Sequence, residues 1–184
     1  MSSERWIFGY GSLVWRPAFD HLERAPAYVR DFARRFWQGS PDHRGALRAP
    51  GRVVTLVREA GAHCLGVGYR IAPDAWESVI RTLDERESGG FERVGVELGF
   101  ADGSRRPVRG LVYVAPAGNP NFLGPAPVEE IAAQVLLAHG RSGSNADYVM
   151  RLADALREIG ADDTHVFELA ERVAVARGRA GAGR

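Results

Sequence analysis

Leu65 to Ile71 reads LGVGYRI, and its two-residue period decides how the rest of the chain is read. Side chains alternate across a strand, so Leu65, Val67, Tyr69 and Ile71 fall on one side and Gly66 and Gly68 on the other. The bare face lets a second backbone or a ligand come close, which suits a tightly curved or ligand-facing strand. Runs rich in β-branched and aromatic residues mark further strands at Arg5 to Phe8, Tyr28 to Trp37, Arg52 to Val57, Val94 to Phe100 and Val108 to Val114.

One helix interrupts this series. It is entered through Pro73 and Asp74, carries Trp76, Val79, Ile80 and Leu83 as one apolar stripe, and is stopped by Gly89-Gly90. After Ala115 the texture changes: Pro127 opens a helix reaching about His139, Asn145 is expected to cap a second that runs to Ile159, and a third spans Thr164 to Arg177. Strands first and helices afterwards imply an α+β fold with a small mixed or antiparallel sheet, rolled into a barrel or left open. Residues 1–177 are expected to form one domain and residues 178–184 a frayed tail.

Composition narrows the function. Lys and Arg number 24 against 23 Asp and Glu, so no net field is available to hold a nucleic acid. Apolar runs are too short for a membrane span, and a single cysteine, Cys64, together with an N-terminus lacking a signal pattern, suits a cytoplasmic protein. The five histidines show no zinc-like spacing, and His63 and Cys64 face opposite ways on a strand, so neither a metal nor a cysteine nucleophile is expected.

Three segments can carry chemistry. In Phe8-Gly9-Tyr10-Gly11-Ser12-Leu13 a strand runs into a turn whose glycines can aim backbone N–H groups at an anion such as a carboxylate; a plain tight turn fits equally. Val14 stands where a dinucleotide fingerprint needs its third glycine. Glu87 lies four residues after Leu83, so a continued helix puts its carboxylate on the apolar face, desolvated and near the negative end of the dipole; a helix that ends early leaves it in water beside Arg86 or Arg93. Asp42-His43-Arg44-Gly45 closes a strand with a polar loop in which Arg44 can clamp a carboxylate.

Taken in order, FGYGSLVW (Phe8 to Trp15), RFWQGSPDHRG (Arg35 to Gly45), GRVVTLV (Gly51 to Val57), LDERESGGF (Leu83 to Phe91), NPNFLGPAP (Asn119 to Pro127) and SGSNADYV (Ser142 to Val149) resemble the ChaC-type, glutathione-specific γ-glutamylcyclotransferases. The resemblance implies a small β-barrel with flanking helices, a Tyr10 to Leu13 loop that binds the γ-glutamyl group, and Glu87 as catalytic acid/base. It implies that glutathione is cyclised to 5-oxoproline with loss of cysteinylglycine, with no cofactor, metal or obligate protein partner. Ser88 departs from the Lys or Gln that family members often carry next to this glutamate. Gly9, Tyr10, Gly11, Ser12, Leu13, Val14, Arg44, Tyr113 and Tyr148 are the substrate-binding candidates. Either tyrosine could instead be a core ring with its hydroxyl satisfied locally. Cyclisation of other γ-glutamyl amino acids or amines, and plain binding of small carboxylates, are the competing readings; the Arg35 to Gly45 motif favours glutathione.

Overall fold

In the computed structural model, which describes residues 4–103 and 106–182, LGVGYRI is the end of a much longer strand. β1 (Arg5–Gly9), β2 (Glu23–Ser40) and β3 (Gly51–Ile71) are followed by α1 (Trp76–Arg86), β4 (Glu92–Phe100) and β5 (Val108–Val114). Then come α2 (Val128–Leu137), a two-residue pair β6 (His139–Gly140) and β7 (Gly143–Ser144), α3 (Asn145–Glu158) and α4 (Thr164–Ala182). The strands close a barrel in the order β1-β3-β2-β4-β5. All neighbours are antiparallel except β1 and β5, which run parallel and seal it through Trp6↔Gly110 and Ile7↔Leu111.

The two strands expected at Arg52 to Val57 and Leu65 to Ile71 are one, and β2 is longer than Tyr28 to Trp37 at both ends. They form a continuous ribbon from Glu23↔Arg70 to Ser40↔Gly51, with register shifts at Arg30/Phe32 and Arg35/Gln38. Such bulges bend a ribbon and increase its twist, which allows two long strands to wrap a closed barrel. Gly66 and Gly68 admit β1: a Cβ at Gly66 would collide with the Gly9 carbonyl and the Phe8 ring, and one at Gly68 would press on Ala27 at 3.3 Å and the Trp6 ring at 3.4 Å. The bare face is taken by protein rather than by ligand.

The opposite face of this corner carries α1. Val79, Ile80 and Leu83 are buried against Ile7, Val67, Tyr69, Ile71 and Tyr113. Those three aliphatic side chains contribute about 5 to 9 kcal/mol of transfer free energy, which fixes α1 to the barrel wall. On the other side α2, α3 and α4 pack into the main core through Ile131, Val135, Val149, Leu152, Leu156, Val166, Leu169 and Val173.

Two local expectations change. Ser144, not Asn145, caps α3, its Oγ accepting the Asp147 N–H at 3.1 Å. Asn145 is buried and holds β3 instead, accepting the Arg52 N–H at 2.6 Å and donating to the Arg52 carbonyl at 2.7 Å. α4 runs past Arg177 to Ala182, so residues 178–182 are helical rather than frayed; 183 and 184 lie outside the described residues. Arg177 is tied to Asp147 of α3 at 2.7 Å, which anchors this end of α4 although Gly178 and Gly181 are poor helix formers. No helix of the described residues is long and apolar enough to cross a membrane.

Candidate active site

β1 ends at Gly9 and the chain turns at once into a short 3₁₀ segment, Ser12–Val14. The turn needs glycine for space: a Cβ on Gly9 would stand 2.6 Å from the Leu13 Cβ, and one on Gly11 would lie 3.1 Å from Val54 and 3.2 Å from the Tyr148 hydroxyl. The turn forms one wall of a cavity of about 360 Å³, within the range of small-molecule sites. Tyr10, Gly11, Ser12, Leu13, Arg44, Glu87, Tyr113 and Tyr148 all line it. Gly9 and Val14 do not: Gly9 packs under Leu13, and Val14 is turned into the core beneath α1.

The two readings of Glu87 meet halfway. The helix does end early, at Arg86, with Glu87 as its C-cap, its N–H donating to the Leu83 carbonyl at 2.8 Å. The carboxylate is nonetheless sheltered, the side chain being 17% exposed, because the cap turn folds over the barrel mouth instead of into water. Desolvation pushes the Glu87 carboxyl above its ordinary value, against the lowering influence of Arg86, whose Nε stands 3.4 Å from Oε1. A carboxyl raised in this way is a stronger base than a solvated glutamate.

Two of the quoted motif segments buttress that turn. Buried Gln38 and half-buried Asn119 bond reciprocally, at 3.1 and 3.0 Å. Gln38 also donates to the Gly89 carbonyl at 3.1 Å, as Asn121 does at 2.9 Å. Gly90 has φ +104°, and a Cβ there would meet Asn119 Oδ1 at 2.7 Å, so the residue must be glycine. The RFWQG and NPNFLGPAP segments thus hold the position of Glu87.

The tyrosines differ in what they offer. Tyr10 donates its hydroxyl to the Tyr113 carbonyl at 2.7 Å, and burial with the Glu87 charge nearby keeps it neutral far above the usual range. Tyr113 turns its hydroxyl away to Asp84 of α1 at 2.7 Å, so its contribution to the wall is ring and backbone. Tyr148 accepts weakly from the Val54 N–H at 3.5 Å, leaving its proton available; burial, reinforced by Glu87, pushes it up to about 12. Arg44 lies over the Tyr148 ring at 5.4 Å and donates to the Ser142 carbonyl at 2.7 Å. Its planar fork has further N–H groups for a carboxylate.

Sequence reasoning missed Arg86 and Arg151 in this wall. Arg151 was readable, since it follows Tyr148 by three residues on one helix face. Arg86 was visible only as a possible partner of Glu87; its bond to the Ser12 Oγ at 2.6 Å spans 74 residues. Cys64 is buried away from the cavity, and burial pushes its thiol up to about 11, so it is an unreactive core residue.

Comparison with known proteins agrees with this geometry. The family model described as ChaC-like protein matches residues 5–176. The human protein named glutathione-specific gamma-glutamylcyclotransferase 1 is 42% identical over 172 residues, covering 91% of this chain and 78% of its own. The Schizosaccharomyces pombe glutathione-specific gamma-glutamylcyclotransferase is 33% identical over 185 residues, covering 91% of each chain. A crystal structure of a yeast gamma-glutamyl cyclotransferase specific to glutathione superposes with a TM-score of 0.85 at 30% identity, over 95% of this chain and 100% of that one.

Proposed function

Because the chain belongs to the ChaC-like family, we propose that it degrades glutathione by cyclising the γ-glutamyl group, releasing 5-oxoproline and cysteinylglycine. The reaction is intramolecular. The α-amine of the γ-glutamyl residue forms a bond to its own side-chain carbonyl carbon, the bond from that carbon to the cysteinyl nitrogen breaks, and the nitrogen leaves as a protonated amine. Attacker and target belong to one molecule, so the protein gains most by holding a folded-back conformer. In well-oriented systems such effects reach about 7 to 11 kcal/mol.

The observation that carries this reading is a desolvated carboxyl, Glu87, in the same cavity wall as the glycine turn from Tyr10 to Leu13. The turn's backbone grips the γ-glutamyl head and its N–H groups polarise the carbonyl under attack. An ammonium cannot attack, so Glu87 takes its proton. An amine of ordinary pKa near 8 and a glutamate near 4.3 differ by roughly 5 kcal/mol, and desolvation of Glu87 narrows that gap. The same group then passes that proton to the departing nitrogen, and the second proton that the attacking nitrogen sheds as the lactam forms goes the same way, so that the cysteinyl nitrogen leaves as an ammonium.

Tyr148 donates to the developing oxyanion or to the substrate carboxylate, Arg44 binds carboxylate, and Tyr10 and Tyr113 hold the wall. The compartment that goes with this chemistry is the cytoplasm. Purified protein incubated with glutathione, γ-Glu-Ala and ε-(γ-glutamyl)lysine is expected to release 5-oxoproline from glutathione well ahead of the others. Glu87→Gln keeps the shape and loses the proton relay, so it should still bind glutathione and turn over at least about a hundredfold slower. Unchanged turnover in Glu87→Gln removes the residue from the chemistry.

A further inference from the structure

One guanidinium touches both halves of the site. Arg86 Nη2 donates to the Ser12 Oγ at 2.6 Å, Nη1 donates to the Arg16 and Pro17 carbonyls at 3.2 and 3.3 Å, and Nε faces Glu87 Oε1 at 3.4 Å. Its side chain is 23% exposed, so these contacts are partly shielded from solvent. Arg86 ends α1, which is fixed by its buried stripe, whereas Ser12 to Pro17 belong to the loop leaving β1. A planar fork with five donors can serve acceptors on both sides at once, which a lysine ammonium on a flexible stem cannot do in the same geometry.

We infer that Arg86 is a positioning residue for this reaction, holding the substrate-gripping turn at a set distance from the base while acting as the counter-ion of Glu87. This rests on the reading of Glu87 as the proton-handling group. Two opposed demands explain why a cation is needed there. Glu87 must be ionised to take the ammonium proton, and its burial at a helix C-terminus works against ionisation. A nearby fixed positive charge favours the carboxylate and offsets part of that cost, while desolvation remains the larger influence.

The other groups that face Glu87 do not supply this. Tyr10 from the end of β1, Tyr113 from β5 and Tyr148 from α3 are all held neutral by burial through the working range. Around the rest of the cavity stand Arg16, Asp42, His43, Arg44 and Arg151. Of these, Arg44 is engaged with the Tyr148 ring and the Ser142 carbonyl, and Asp42 with Arg141 at 3.1 Å. His43 bonds Ser142 Oγ at 2.9 Å, and Arg86 is among the charges that lower its imidazole, so Arg86→Gln shifts His43 as well; the Glu87 carboxyl titration, which reads one group, keeps the two apart.

The test separates the charge from the fork. 5-Oxoproline release from glutathione is measured against pH for wild type, Arg86→Gln, Arg86→Lys and Ser12→Ala, alongside a carboxyl ¹³C NMR titration of Glu87 in the substrate-free proteins. Arg86→Gln is expected to move both the acid limb of kcat and the Glu87 midpoint to higher pH, by at least about half a unit. Arg86→Lys keeps the charge, so the limb stays while KM rises severalfold. Ser12→Ala raises KM without moving the limb, and combined with Arg86→Lys the two effects fall short of adding, because both remove one bond. A limb and midpoint unmoved in Arg86→Gln, or strictly additive KM effects in the double variant, overturns the inference. Wild type that forms no 5-oxoproline overturns the proposed function instead, and the NMR midpoints still decide whether Arg86 is the counter-ion. Should Arg86→Gln fail to fold, Arg86→Met carries the charge test in its place, and the Arg86→Lys and Ser12→Ala pair decides the positioning role.

Discussion

Asp163→Asn should unfold this protein at a markedly lower temperature and loosen its grip on substrate, although Asp163 is not part of the cavity lining. Arg34 lies inside the barrel wall with a fully buried side chain. Its Nε donates to the Tyr10 carbonyl at 2.7 Å, one Nη to the Leu65 carbonyl, and the other to Asp163 Oδ2 at 2.5 Å. Asp163, itself 13% exposed, also caps α4 by accepting the Val166 N–H at 3.1 Å through Oδ1. Asparagine is as good a cap as aspartate, so the substitution spares α4 while turning an NH₂ toward a buried cation. Breaking one side of a buried pair costs about 3 to 5 kcal/mol. The residual exposure of Asp163 argues for the lower end, and for a chain of this length about 3 kcal/mol lowers Tm by roughly 6 to 12 °C. Tyr10 is held by the same guanidinium, so KM for glutathione should rise in folded Asp163→Asn at 25 °C. Differential scanning calorimetry and 5-oxoproline release read both quantities. A Tm within about 2 °C of wild type, with KM unchanged, would refute the claim that Arg34 depends on this counter-charge.

Two further outcomes follow from the geometry. His165 Nε2 accepts the Phe36 N–H at 3.0 Å beside the bulge in β2, and burial, with Arg35 adding to it, lowers the imidazole below its ordinary value near 6.5. Protonation is therefore resisted by the fold: the stabilisation is complete above about 6.5 and is lost as pH falls from there through the lower folded value. Urea midpoints from pH 7.5 to 5 should show that fall, and it should shrink in His165→Gln, whose amide oxygen can still accept the bond. Gly9→Ala forces the Ser12–Val14 turn to shift, at a cost of about 1 to 3 kcal/mol, and should lose at least about tenfold in kcat/KM for glutathione. Full activity in Gly9→Ala would mean the turn does not grip the substrate.

Much of the barrel is legible in the sequence because alternation along LGVGYRI and its neighbouring runs survives wherever one face is buried. The merging of two expected strands into β3 is not legible. Between them Arg58, Glu59, Ala60 and Gly61 are all exposed, and Gly61 has φ +80°, so the two-residue period lapses and the pattern reads as ends where the backbone continues. Asn145 was misread for a related reason. Both Ser144 and Asn145 suit a helix start locally, and only the approach of β3 decides that Asn145 serves Arg52. Glu87 shows the limit most clearly. Helical spacing placed its carboxylate on a buried face for the wrong cause, since it is the cap turn, held from Gln38 and Asn121, that carries it over the cavity.

That cause bears on how the chemistry tolerates change. A base in the middle of α1 would be placed by the stripe of Val79, Ile80 and Leu83 alone. At the C-cap, its position depends on segments 32 to 81 residues apart in sequence that meet at the Gly89 carbonyl and at Asn119. Cyclisation demands reacting atoms about 3 to 3.5 Å apart, so a shift of 1 Å in this turn can cost about a hundredfold. On the proposed role of Glu87, substitutions at Gln38, Asn119 or Gly90 are therefore expected to lower kcat through the placement of one carboxyl. On the proposed mechanism the same arrangement suits a base at the cap position: the helix end and burial both disfavour its charge, and Arg86 from the preceding position offsets part of that cost.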